Sequence, residues 1–377
     1  MTLTPLTITA VVIPESLDAG SAGKAGSSGI SAEGNGTDFR DCCSLQDAHQ
    51  MELWGNLDRC ATVQERLQFW RGNGYEERQL FIARVGGEPV GRCSVTLPLQ
   101  ENTATAGIDV LVASAHRRQG IGRRLLDFAE EVGRGRRRTI FDADCEEPAG
   151  RVAEADELLP AKSGTGGVPK SAPSTAFAVN AGYQLEQVET SSSLPLPVAP
   201  EHLDALEEAA KAESQDYVLV EWKDSCPEEL VDAYAALKSR MGTDLPMAGL
   251  EWEAEDWDAA RVRDEEQTWG KSGIESLVAA ARRRDTGELA AYSALNRRPA
   301  RPRILSQEDT LVVGEHRGHR LGMLIKIANI RRAQKDWPAG QSVCTWNASE
   351  NRHMLAINIS LGFRPSGYEG EWQKRLE

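Results

Sequence analysis

The chain has 377 residues, 40% of them hydrophobic and 27% charged, which supplies packed cores for two domains of ordinary size. Lysine and arginine number 43 against 57 aspartates and glutamates, and the net charge of −14 repels a phosphate backbone, so a nucleic-acid partner is disfavoured. The seven cysteines form no C-x-x-C pair, and Cys42 and Cys43 are adjacent, so neither a disulfide framework nor a metal site is indicated; reduced thiols in a cytoplasmic protein fit this pattern.

The opening stretch MTLTPLTITAVVIPE alternates threonine with aliphatic residues and lacks a basic region, which predicts a strand rather than a signal peptide. No run approaches the roughly 20 apolar residues of a membrane span. Residues 19–36 are rich in Gly and Ser and read as a flexible loop, and residues 146–174, rich in Gly, Pro and Ser, read as a surface insertion with little core. Prolines at 195, 197 and 200 precede a short polar helix, placing a domain boundary near residue 200, with domains 1–200 and 201–377. The second half then predicts a strand from Tyr217 to Trp222, a helix opened by Pro227, and a helical segment bearing Trp252, Trp257 and Trp269. A hairpin turn at Asp285-Thr286-Gly287, a strand from Ser342 to Trp346 and a last helix from Asn351 follow. The class is mixed α/β (α+β).

An internal repeat decides the architecture. Residues 108–122, IDVLVASAHRRQGIG, align without a gap on 308–322, EDTLVVGEHRGHRLG, so that Asp109, Val112, His116, Arg117 and Gly122 correspond to Asp309, Val312, His316, Arg317 and Gly322. Each copy reads as strand, basic glycine-bearing turn, helix, and each is followed by a Gly-aromatic pair, Gly182-Tyr183 and Gly362-Phe363. Backbone N–H groups at such a helix start, aided by the dipole, form an anion site, and glycines in the turn let a phosphate approach the main chain.

R-x-x-G-x-G after a strand, then a helix, a strand and a helix ending in G-F or G-Y, resembles the GNAT superfamily of acetyl-CoA-dependent N-acetyltransferases. The resemblance covers most of the chain as two tandem GNAT-like domains, similar in architecture to actinobacterial tandem proteins such as mycothiol synthase, and each is expected as a mixed, mostly antiparallel sheet flanked by helices. The abundance of Ala, Gly and Arg fits a GC-rich bacterial source.

The resemblance implies acetyl-CoA as the donor and, residue by residue, where it is held. The pantetheine arm falls on Leu311, Val312 and Val313, or on Val110, Leu111 and Val112 in the first copy. The pyrophosphate falls on Arg317, Gly318, His319, Arg320, Leu321 and Gly322, or on Arg117, Arg118, Gln119, Gly120, Ile121 and Gly122. Asn347 and Asn351 match positions beside the pantetheine. Two departures stand out: Arg320 replaces the middle glycine of the family turn, and Asn358 and Ala178 stand where many members carry a tyrosine that protonates the leaving thiolate, so that proton is left to solvent.

Transfer to an amine needs a base, because only the neutral amine attacks a thioester. Glu308, on the strand before the turn, is the candidate; alternation puts it on the face of Ser306 and Thr310 and opposite Asp309. Asp309 and Asp109 read as a shared structural hydrogen bond or shared chemistry, and His116 and His316 as residues that shape the loop. The first copy has Ile108 where the second has Glu308. Catalysis is therefore expected in the C-terminal domain, on Glu308 and Asp309, with the N-terminal domain degenerate or regulatory. The expected reaction is direct acetyl transfer in a ternary complex to the amine of a small molecule. Another acyl donor, a hydroxyl or protein-lysine acceptor, and a non-catalytic CoA-binding regulator remain alternatives.

Overall fold

A computed structural model describes residues 5–17, 36–244 and 248–376; apart from Gly36, the loop expected at 19–36 lies outside the described residues. In chain order the elements begin with strand β1 (Leu6–Ala10), helices α1 (Thr37–Trp54) and α2 (Val63–Trp70), and strands β2 (Glu76–Val85), β3 (Glu88–Pro98) and β4 (Thr105–Val112). Helix α3 (Ile121–Gly135), β5 (Ile140–Pro148), α4 (Ala149–Ala153), β6 (Leu158–Pro160), β7 (Gly167–Pro169), α5 (Pro173–Asn180) and β8 (Gln184–Pro195) complete the first half. The second half runs α6 (Pro200–Glu213), β9 (Tyr217–Lys223), α7 (Val231–Ser239), α8 (Met241–Asp244), α9 (Ala259–Ser272), β10 (Glu275–Arg283), β11 (Leu289–Arg297) and β12 (Ile304–Val312). It ends with α10 (Leu321–Asp336), β13 (Ser342–Ala348), α11 (Arg352–Leu361) and β14 (Arg364–Arg375).

These elements form two compact units. One comprises Met1–Asp144, Ala176–Gln184 and Trp372–Glu377, the other Cys145–Thr175 and Leu185–Glu371. The chain therefore passes between units more than once, and the strand after the first Gly-aromatic landmark belongs almost wholly to the second unit.

In the first unit β1, β2, β3 and β4 pair antiparallel and β4 pairs parallel to β5. Helices α1 and α2 bury Phe39, Cys42, Cys43 and Leu67 against Leu80 and Ile82 of β2. Buried Glu130 on α3 accepts from Lys374 Nζ at 2.8 and 2.9 Å, from Arg134 at 2.6 Å and from the Tyr183 hydroxyl at 3.3 Å. Residue 374 thus supplies a cation without which a carboxylate would be buried with one partner fewer.

In the second unit β9, β10, β11 and β12 pair antiparallel, β12 runs parallel to β13, and β13 pairs antiparallel with β8. Helix α10 packs Leu324, Ile327 and Ile330 with Leu277, Leu295 and Leu305, while α7 and α9 bury Tyr234, Leu237 and Val262 with Val278 and Tyr292.

Two expectations are corrected here. Residues 146–174, expected as a surface insertion with little core, hold the end of β5, α4 and a β6–β7 hairpin, and bury Ala161, Val168 and Ala172; Gly164 and Gly166 serve the hairpin turn with φ of 78° and 79°. Trp252 and Trp257 lie in non-helical chain ahead of α9, which starts only at Ala259 because Asp258 caps it, accepting from the Arg261 N–H at 2.8 Å.

Candidate functional site

Each unit opens a notch in its sheet. The ladder between β4 and β5 ends at Gly107–Asp142, and that between β12 and β13 at Ser306–Cys344. Beyond these pairs, among the described residues, Ile108–Val112 and Gln307–Val312 have no parallel strand beside them, so their main-chain groups on that side, apart from the Val112 and Val312 carbonyls that Arg117 and Arg317 occupy, can meet an extended ligand. Leu111 and Leu311 turn buried side chains into the cores, as do Val313, Ile121 and Leu321; any part they play in binding belongs to their main chain. Val110 and Val112 on β4 and Val312 on β12 lie along the same open edges.

Each notch leads to a turn and a helix start without a side-chain cap. Both turns need two left-handed residues and meet that need in opposite order: Arg118 (φ 62°) then Gly120 (φ 81°) in the first, Gly318 (φ 92°) then Arg320 (φ 51°) in the second. Arg320 therefore accepts a conformation that glycine adopts more cheaply, and its exposed guanidinium stands at the N-cap of α10. The preceding arginines fold back: Arg117 Nε donates to Val112 O at 3.0 Å and Arg317 Nε to Val312 O at 3.3 Å. Arg117 also forms a bidentate pair with Glu52 at 2.6 and 2.7 Å, whereas Arg317 donates to the Asp244 carbonyl at 3.0 Å. Gln119 bonds Ala115 O at 3.4 Å and His319 the Glu213 carbonyl at 3.2 Å. A Cβ on Gly122 would stand 3.4 Å from Phe177, and one on Gly322 3.0 Å from Ile357, so these glycines seat the helix start against its neighbours. His316 is buried and its Nδ1 meets the Tyr217 hydroxyl at 2.9 Å, a loop-shaping contact.

The copies differ most where Glu308 and Asp309 stand. Ser293 pairs with Thr310 but Leu295 with Gln307, so Ala294 faces both Glu308 and Asp309 in a β-bulge. In the first copy, β3 and β4 stay in register throughout. The bulge overturns the alternation expected along β12, because one extra residue shifts the facing of all that follows.

Polar side chains hold the bulge. Gln307 Nε2 donates to Ala294 O at 2.5 Å and to Ser293 Oγ at 2.9 Å, Ser293 and Thr310 join hydroxyls at 2.9 Å, and Asn329 of α10 donates to Ser293 O at 2.8 Å. Two hundred residues earlier the same four positions are Cys93, Gly107, Val110 and Ala129, which have no such bonds to offer. This polar set against an apolar one is the signal in the sequence that the repeat comparison missed.

The bulge leaves Glu308 exposed, with Asn296 Nδ2 at 3.4 Å from its Oε1. Asp309 is occupied: its Oδ2 accepts from the Tyr292 hydroxyl at 2.9 Å and from Lys238 Nζ at 3.1 Å. Lys238 is buried, 4.2 Å from the Trp257 ring centre and bonded also to Glu265. Desolvation would lower its pKa, but Asp309, Tyr234 and Glu265 hold the ammonium well above the usual lysine range. Burial pushes the Glu265 carboxyl up.

Asn347 lies on β13 past the last pair with β12, and its Oδ1 accepts from Asn358 at 2.7 Å. Asn351 caps α11, its Oδ1 taking the Met354 N–H at 3.2 Å. Ala178 is buried. Asn358, where a tyrosine was looked for, is buried and bonded to Lys326, a residue the sequence reading passed over.

This arrangement can be set beside known proteins. Residues 46–154 match the model of the acetyltransferase (GNAT) family, which falls mainly on the first copy. A tandem GNAT protein from the clavulanic acid biosynthesis pathway is similar over 98% of each chain, at 23% identity and a TM-score of 0.72. The fold is a tandem GNAT fold. A GCN5-related N-acetyltransferase from Sphaerobacter thermophilus also aligns with this chain, over 98% of it and 95% of the other, at 13% identity and a TM-score of 0.60. A fungal glucosamine N-acetyltransferase region aligns with 98% of this chain and 38% of that one, at 11% identity and a TM-score of 0.62. No curated protein sequence matches at a significant level. Among the described residues no helix is long and apolar enough to cross a membrane.

Proposed function

We propose that this tandem GNAT chain transfers an acetyl group from acetyl-CoA to the amine of a small molecule, in a ternary complex, with the working site in the second unit and the first unit non-catalytic. The bulge at Glu308 and Asp309 carries the assignment. It places an exposed carboxylate beside the open edge of β12, where the first unit has the buried Ile108 and a regular ladder. The residues suit the donor: an open strand edge for the amide-bearing arm, and an uncapped helix start with an exposed arginine for the phosphates.

In the proposed step the amine nitrogen bonds to the thioester carbonyl carbon, the C–S bond breaks, and the thiolate takes a proton from solvent. Glu308 accepts the ammonium proton through water, and the open N–H groups of β12 polarise the carbonyl. With Asp309 tied to Lys238 and Tyr292, Glu308 is the base and Asp309 a supporting anion.

The test is an amine panel with acetyl-CoA, read by mass gain of the product and release of CoA. Glu308→Gln is expected to lower kcat/KM about 100-fold and to remove the rise of rate with pH expected of the wild type. Identical pH profiles for the two would remove Glu308 from the mechanism. Binding without turnover across the panel would favour a regulator.

A further inference from the structure

Lys326 projects from α10 into a core where, among the described residues, no carboxylate acts on it, and its Nζ donates to Asn358 Oδ1 at 2.9 Å. A lysine ammonium has donors and no acceptor, so the atom it meets must be the Asn358 oxygen. The Asn358 amide N–H2 is thereby turned toward Asn347, whose Oδ1 accepts at 2.7 Å. With its oxygen committed, Asn347 has its own N–H2 group left as a donor, on the part of β13 that has already parted from β12. We propose that Lys326 is a positioning residue for the acyl-CoA arm, acting through Asn358 to hold Asn347 as a hydrogen-bond donor to a carbonyl of the ligand. This rests on the reading of the second notch as the acyl-CoA site.

Two further observations agree. The first copy has Leu126 and Ala178 at the corresponding places, so the device belongs to the unit that also has the bulge. Burial alone pushes the Lys326 amine down to about 7, and the group facing it besides Asn358 is the Phe363 ring, 5.6 Å from Nζ. As an ammonium it can only donate and the chain of amides has one polarity. As a neutral amine it can also accept, Asn358 can turn over, and Asn347 loses its fixed sense. The hold on the ligand therefore weakens as pH rises through that range.

The test compares acetyl-CoA with adenosine 3′,5′-bisphosphate, which carries the nucleotide end and lacks the pantetheine arm, by calorimetry on the full chain. Lys326→Met is expected to bind acetyl-CoA about tenfold more weakly and the bisphosphate as wild type does, one hydrogen-bond donor having been lost. Asn347→Ala should lose as much, and the double variant no more than Asn347→Ala alone. In the wild type the ratio of the two affinities should fall between about pH 6 and about pH 8.5, and in Asn347→Ala it should stay flat, a readout that survives a poorly folded Lys326→Met. Additive losses, equal weakening of both ligands, or a wild-type ratio that does not change with pH would overturn the proposal. If the bisphosphate and acetyl-CoA both fail to bind the wild type, the acyl-CoA reading itself falls and takes this one with it.

Discussion

Tyr292 donates to Asp309 Oδ2 at 2.9 Å, and 200 residues earlier Arg92 donates to Asp109 Oδ2 at 2.6 Å. The repeat keeps the aspartate and the place of its partner while changing the partner's chemistry. In the first unit a buried guanidinium neutralises the carboxylate directly. In the second a phenol takes that place, and the neutralising charge comes from Lys238 on α7. Asp109 and Asp309 are thus structural hubs with different wiring: the first reaches helix α1 through Arg92, which also donates to Gln46, and the second meets Lys238 of α7 directly.

From that wiring, Lys238→Met should destabilise the second unit by about 2 kcal/mol, because Asp309 and Glu265 would face each other without their cation; the partial exposure of both carboxylates keeps the loss below that of a fully buried pair. Urea unfolding measures it. A variant as stable as wild type would show that Lys238 does not bind this cluster together.

Because Gln307 closes the bulge through its bonds to Ala294 and Ser293, Gln307→Leu should release it at a cost of about 1–2 kcal/mol in stability. The larger effect should fall on turnover, with kcat lowered tenfold or more as Glu308 loses its setting while acetyl-CoA affinity changes little. Unchanged kcat would detach the bulge from the chemistry.

Glu189, Glu369 and Glu371 bring carboxylate oxygens within 4.8 Å of one another in the second unit. Burial, and then the charge of Glu350, holds the Glu189 carboxyl above its ordinary range. A raised folded-state pKa contributes stability below the unfolded value and loses it as pH climbs through the folded one. Glu189→Gln should therefore raise Tm at neutral pH, with the gain vanishing near pH 4. A constant difference across that range would contradict the assignment.

Much of this was legible in the sequence. Strand, turn and helix stood out because they occur twice at one offset, and the hairpin turn, β9, β13 and the α11 cap fell where local signals put them. The bulge was not, because alternation assumes one residue opposite one, and whether Ala294 faces one residue or two depends on pairing with a strand elsewhere in the chain. Nor was the role of Lys326: a lysine in a helix pattern reads as a solvated face until the packing of α11 places Asn358 beside it. The assignment of residues 145–175 to the second unit is likewise long-range, and composition there signalled turns without saying where they pack.

Acetyl-CoA is proposed to work at the second turn. Calorimetric titration with acetyl-CoA, run on wild type, Arg320→Glu and Arg118→Glu, tests it most directly, since both arginines are exposed at left-handed turn positions and can be reversed in charge without touching a core. Arg320→Glu is expected to weaken binding at least tenfold and to lower kcat/KM for amine acetylation in proportion, while Arg118→Glu leaves turnover intact. Loss of turnover with Arg118→Glu and not with Arg320→Glu would place the working site in the first unit and contradict the assignment of Glu308.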